Sequence, residues 1–153
     1  MSRLVMGAAA ATLASAVVLA AMAVLSPPDD VHRRHVPVVI EAGAVCASLS
    51  DRRYEVSCGT TAFGDLRFNC TGGGFGKCPP TTAVTLRNTG RTSVSVTMVS
   101  GRREGDRRLS PAPELAPGRT VTLSKRPDEK YFFDILLRSI KPGVGTVKVV
   151  SVA

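Results

Sequence analysis

The sequence predicts an all-β fold: an antiparallel β-sandwich of about eight strands, preceded by one N-terminal hydrophobic helix. Three observations carry that expectation. Apolar residues recur with period two through the C-terminal half, short clusters of Gly, Pro and Asn separate those runs, and the one long uncharged apolar stretch is confined to residues 4–25. The chain has 153 residues, 44% of them hydrophobic and 21% charged, which suits one domain and excludes a disordered polyelectrolyte.

Residues 4–25 run without a charge and are dominated by Ala, Val and Leu. As a helix they would cover about 33 Å, close to the roughly 30 Å hydrocarbon core of a bilayer. That length favours a retained transmembrane anchor. Ala21-Met22-Ala23 has the small-x-small pattern of a signal-peptidase site, so cleavage after Ala23 and secretion is the alternative. Arg3 on one side and Arg33 and Arg34 on the other nearly balance the positive-inside rule. Cysteine usage decides the orientation: four Cys, all between Cys46 and Cys78, suit an oxidising exterior, which places the body outside the cytoplasm at the cell membrane. Arg outnumbers Lys by 15 to 5 beside abundant Ala and Gly, a bias of high-GC bacterial genomes. The expected organisation is an anchor or signal segment at 1–25, a polar linker at 26–37 and a β-domain at 38–153. In the linker, Pro27-Pro28 ends any helix and His32-Arg33-Arg34-His35 is too polar to bury. It reads as a solvated tether beside the membrane.

The strands follow in order. Residues 36–40, 54–58 and 66–70 are short candidates. Residues 82–87 set Val84 and Leu86 on one face, and 93–98 set Val94, Val96 and Met98 on one face. Residues 120–124 repeat the alternation, and 146–152 are rich in β-branched residues with Lys148 turned outward. In residues 131–140, Phe133, Ile135 and Leu137 alternate but Leu136 breaks the pattern. Asn88-Thr89-Gly90, Ala116-Pro117-Gly118 and Lys141-Pro142-Gly143 supply turn chemistry between them.

Val84-Thr85-Leu86-Arg87-Asn88-Thr89-Gly90 and Leu115-Ala116-Pro117-Gly118-Arg119-Thr120-Val121-Thr122-Leu123 together resemble the Asn-Thr-Gly turn and Leu-x-Pro-Gly element of bacterial immunoglobulin-like β-sandwich modules in exported proteins. The resemblance covers residues 81–153. It implies an immunoglobulin-like sandwich and an adhesion, spacer or accessory role, and it carries over no functional residues. The Cys-rich stretch lies outside it.

Cys46, Cys58, Cys70 and Cys78 are separated by 11, 11 and 7 residues, without the close pairs of zinc ribbons. Two disulfides are the preferred reading over a zinc site, each restricting the unfolded chain by roughly 3 kcal/mol. Of the three connectivities, Cys46 with Cys58 and Cys70 with Cys78 is favoured, because the second pair would tie off the glycine-rich loop Thr71-Gly72-Gly73-Gly74-Phe75-Gly76-Lys77. That loop is no P-loop: Thr71 and Cys78 stand where Gly and Ser or Thr are needed, and Pro79-Pro80 forbids the following helix. Phe75 is a candidate partner contact; folding back onto the sandwich is its other reading.

His32 and His35 are the only histidines, both in the linker, so the β-domain offers no imidazole for nucleophilic hydrolysis or a metal site. No enzyme activity, cofactor or metal is expected. Residues 82–153 carry thirteen basic and six acidic side chains, the whole excess of positive charge after the hydrophobic segment. Arg102, Arg103, Arg107 and Arg108 bracket Gly101 and Gly105 on one exposed loop or hairpin tip and are the candidate anion-binding residues. The expected partners are the membrane, through residues 4–25, and an unidentified envelope protein. The alternative is an anionic envelope polymer or lipid headgroup held by the basic half. Nucleic acid is not expected, because aromatic residues total 5% and offer no stacking surface.

Overall fold

The computed structural model describes residues 32–35, 40–59, 66 and 79–153. Nine strands and no helix occur among them: β1 (His32–His35), β2 (Val45–Ala47), β3 (Tyr54–Ser57), β4 (Ala83–Asn88), β5 (Val94–Gly101), β6 (Arg108–Pro111), β7 (Thr120–Ser124), β8 (Tyr131–Ser139) and β9 (Thr146–Val152). They build two sheets, ordered β1-β3-β8-β5-β6 and β2-β9-β4-β7. Every pairing is antiparallel except β1 with β3. From β4 onward the chain changes sheet at each connection but one, the β5–β6 hairpin.

Alternation dictates this layering. On β4, Val84 and Leu86 turn inward and Arg87 outward; on β9, Val147 and Val149 turn inward and Lys148 outward. These side chains, with Leu123 of β7, meet Val56, Val94, Val96, Met98, Phe132, Ile135 and Leu137 of the other sheet in one core. Each such side chain, fully buried, stabilises the fold by about 1.5–3 kcal/mol.

The central strand β8 departs from strict alternation for a structural reason. Phe132, Ile135 and Leu137 enter the inter-sheet core, while Phe133 and Leu136 join Val99 in a second buried cluster. A strand buried on both faces reads as a continuous apolar run, which is why Leu136 interrupts the pattern. The register also shifts beside Val99: Asp134 lies opposite Val99 and Phe132 opposite Ser100, so Phe133 is the extra residue of a bulge.

Three strands were not expected. Residues 32–35, read as linker, pair with β3, because backbone pairing at a sheet edge needs no buried side chain; Arg34 stays exposed, its guanidinium 5.2 Å from the centre of the Tyr54 ring. β2 and β6 are too short to show a period. Of the expected strands at 36–40 and 66–70, only Ile40 and Leu66 fall among the described residues; both are buried, and Leu66 N–H donates to Phe132 O at 2.7 Å. Residues 4–25, Cys70, Phe75 and Cys78 lie outside the described residues, within which no helix is long and apolar enough to cross a membrane.

Among the described residues one covalent bond joins the sheets. Cys46 on β2 is disulfide-bonded to Cys58, the residue after β3, with their Cα atoms 6.0 Å apart and both side chains in the core. Closing a loop with a sequence separation of 12 restricts the unfolded chain by about 3 kcal/mol. Replacing both residues (C46A/C58A) is expected to lower the unfolding free energy by about that amount in urea titrations. A loss under about 1 kcal/mol would mean that the bridge adds little to the fold.

Candidate functional site

The four arginines singled out by sequence occupy the β5–β6 hairpin, and the structure gives them different surroundings. Gly101 closes β5 where a side chain would collide with the Asp106 carbonyl, so the chain turns tightly there. Arg102 is bonded to Asp128, in the turn between β7 and β8; its Nε lies 2.9 Å from Asp128 Oδ2. Hydrogen bonding to that guanidinium holds the Asp128 carboxyl below its ordinary value of 3.8. Arg107 reaches the other way, with Nη2 3.4 Å from Asp134 Oδ2 and its guanidinium carbon 5.4 Å from the centre of the Phe133 ring. Arg103 and Arg108 have no ion pair to a described residue. Glu104 and Asp106 share the same loop. Half of the candidate anion site is thus occupied by the protein's own carboxylates.

Asp134 is the most completely engaged polar side chain described. It is 4% exposed, on the bulge of β8. Oδ1 accepts from Gly59 N–H at 2.9 Å and from Ile135 N–H at 2.8 Å, and Oδ2 accepts from Ser57 Oγ–H at 2.5 Å. Gly59 is needed at this point, since a Cβ there would press on the carboxylate at 2.8 Å. Tyr131 stacks on Phe133 with centroids 5.4 Å apart, and Lys130 Nζ lies 5.1 Å from the Tyr131 ring centre. Ser57 donates to a carboxylate that also accepts from two backbone N–H groups and faces Arg107, so the four groups position one another. Sequence reasoning missed Asp134. The available signal was a carboxylate inside the apolar run Phe132-Phe133-Asp134-Ile135-Leu136.

Asn88 plays the corresponding part in the other sheet. Fully buried at the end of β4, it donates from Nδ2 to Thr92 O at 2.9 Å and Leu115 O at 2.8 Å, and Oδ1 accepts from Gly90 N–H at 2.9 Å. Its carbonyl accepts from Gly118 N–H at 2.8 Å, where Gly118 has φ 75°. One asparagine therefore ties the Asn-Thr-Gly turn to the Pro-Gly turn ahead of β7. Every polar group of its side chain is consumed in doing so.

Comparisons with protein-family models, with curated proteins and with solved structures returned no match.

Two predictions follow from these bonds. Asp134→Ala leaves the Ser57, Gly59 and Ile135 donors and Arg107 without their acceptor and should cost about 3–5 kcal/mol in urea unfolding, whereas Arg103→Ala should cost under about 0.5 kcal/mol. Asp128 has a depressed folded-state pKa, so its pairing stabilises the fold above 3.8 and that contribution is lost as the pH falls through the depressed value. Between about pH 5 and pH 2 the urea midpoint of Asp128→Asn should therefore fall less than that of the wild type. Equal falls would show that the Arg102 pair adds nothing to stability.

Proposed function

We propose that this chain is an exported, membrane-tethered β-sandwich of immunoglobulin-like kind, acting without catalysis as a protein-interaction or accessory module at the cell envelope. The observation that carries the proposal is the buried Cys46–Cys58 bridge between the sheets, a bond that forms and persists in oxidising compartments. The uncharged membrane-length segment at residues 4–25 supports the tether. The role of an interaction module fits the chemistry of the buried polar groups: Asp134 and Asn88 spend their hydrogen bonds on backbone and neighbouring side chains, and both histidines precede the disulfide-linked body. Binding of an anionic polymer or lipid headgroup at the β5–β6 hairpin is the less favoured reading, since Arg102 and Arg107 already face Asp128 and Asp134.

Treating intact cells with a lysine-reactive cross-linker that cannot pass the cytoplasmic membrane tests the proposal. Exposed lysines such as Lys130, Lys141 and Lys148 should react before lysis, and one envelope protein should be recovered reproducibly. Reaction only after lysis would put the body in the cytoplasm, and recovery of no protein above background would remove the interaction role.

A further inference from the structure

The two sheets end in four outer strands, and three of them are poor templates for a further strand. β1 is the charged sequence His-Arg-Arg-His, β2 is three residues long, and β6 runs from Arg108 to Pro111. β7 has none of these protections. Thr120-Val121-Thr122-Leu123-Ser124 contains no charge and no proline, and it pairs in unbroken register with β4 alone.

The ladder fixes the direction of its backbone groups. Lys125 N–H donates to Thr82 O at 3.1 Å and Asn88 N–H donates to Arg119 O at 2.9 Å, at the two ends of the β4–β7 pairing. Bonded and non-bonded pairs alternate between those ends, so Leu123 with Val84 and Val121 with Leu86 are bonded pairs. Thr120, Thr122 and Ser124 occupy the non-bonded positions. The 3.0 Å separation of Thr85 Oγ1 and Thr122 Oγ1 agrees, since side chains come closest in such pairs. The N–H and C=O groups of Thr120, Thr122 and Ser124 consequently point away from β4, along an edge that no described strand covers.

Charge specifies the strand that fits. The four strands of this sheet contain no carboxylate, and Arg87 and Lys148 are direct cross-strand partners, exposed and without an ion pair to a described residue. Like charges so placed repel each other, and an anion laid beside them relieves it. Register aligns Val45, Lys148, Arg87 and Thr120 in one row across the outer face. Residues 115–127, which contain β7, hold Arg119, Lys125 and Arg126 and no acid. A second copy is a poor occupant, because antiparallel pairing centred on Thr122 would set Arg119 of each copy against Lys125 of the other.

We propose that β7 accepts an extended acidic segment of a partner protein by strand addition, with apolar side chains alternating with Glu or Asp. The apolar ones extend the inner face over half-buried Val121; the acidic ones lie beside Thr120, Thr122 and Ser124. Strands lie about 4.8 Å apart, so an acid opposite Thr120 stands about 10 Å from the Arg87 backbone, within reach of its guanidinium. This inference rests on the interaction-module reading and names the surface and partner chemistry for it.

The test uses the full chain in detergent micelles at neutral pH and a fluorescent octapeptide of alternating Glu and Val, with a Lys–Val octapeptide as control. Saturable binding of the Glu–Val peptide, with slowed amide exchange at residues 119–125, is expected. Thr122→Pro removes an edge donor that β4 does not use and should weaken binding at least about tenfold. The pair T120E/T122E leaves the backbone intact and should exchange the preference to the Lys–Val peptide. No saturable binding, equal affinity of Thr122→Pro, or displacement by dextran sulfate equally in wild type and Thr122→Pro would overturn the proposal. So would slowed exchange of β7 without peptide that grows with protein concentration, since a second copy would then own the edge. In intact cells, an envelope protein cross-linked equally by wild type and Thr122→Pro would remove the β7 site and leave the interaction module standing; no cross-linked protein with wild type would remove the module itself.

Discussion

The Cys46–Cys58 disulfide holds together what hydrogen bonding alone holds weakly. β2 contributes three residues to its sheet, and β3 is registered with β8 through Val56 and Ser57 only. Both lie toward one side of the sandwich, in different sheets, and each would fray readily as an isolated edge. The bridge fastens them to each other inside the core, so neither strand can move far from the sandwich without the other. The parallel strand β1, which pairs with β3 alone, depends on the same bond at one remove.

Next to the bridge, Asp134 completes the exit of β3. Cys58 N–H still bonds Ile135 O at 2.9 Å, but the following Gly59 N–H turns to the Asp134 carboxylate. The β8 bulge supplies that carboxylate, and Arg107 carries the interaction out to the β5–β6 hairpin. Disulfide, bulge and arginine hairpin thus form one connected unit on the first sheet. The second sheet is organised by Asn88, its four strands carry basic side chains and no carboxylate, and no described strand covers β7.

The parts of this architecture legible in the sequence are those with a clear period. β4, β7, β9 and the first five residues of β5 alternate between buried and more accessible positions, and that alternation identifies them directly. β8 was recognisable as a strand, yet its two buried faces hid the bulge, and with it Asp134. β1, β2 and β6 have three or four residues each, too few to show a period; β1 and β2 are moreover set by pairing with strands distant in sequence. Among the site residues, the position of the arginines on a hairpin was legible from Gly101 and Gly105. Their pairing with Asp128 and Asp134 was not, because both partners are about 25 residues away and arrive through tertiary contacts. The place of β7 as the outer described strand of its sheet was hidden for the same reason, since edge and centre differ only once the strand order is known.

Whether the Cys46–Cys58 bond exists in the protein as its host makes it is the point on which fold, compartment and role converge. Protein recovered from the native host with free thiols blocked at harvest, then digested without reductant, decides it by mass spectrometry. The account predicts a linked peptide pair containing Cys46 and Cys58 and no blocked thiol at either residue. Finding both residues blocked, with no linked pair, would contradict it and return the body to a reducing compartment.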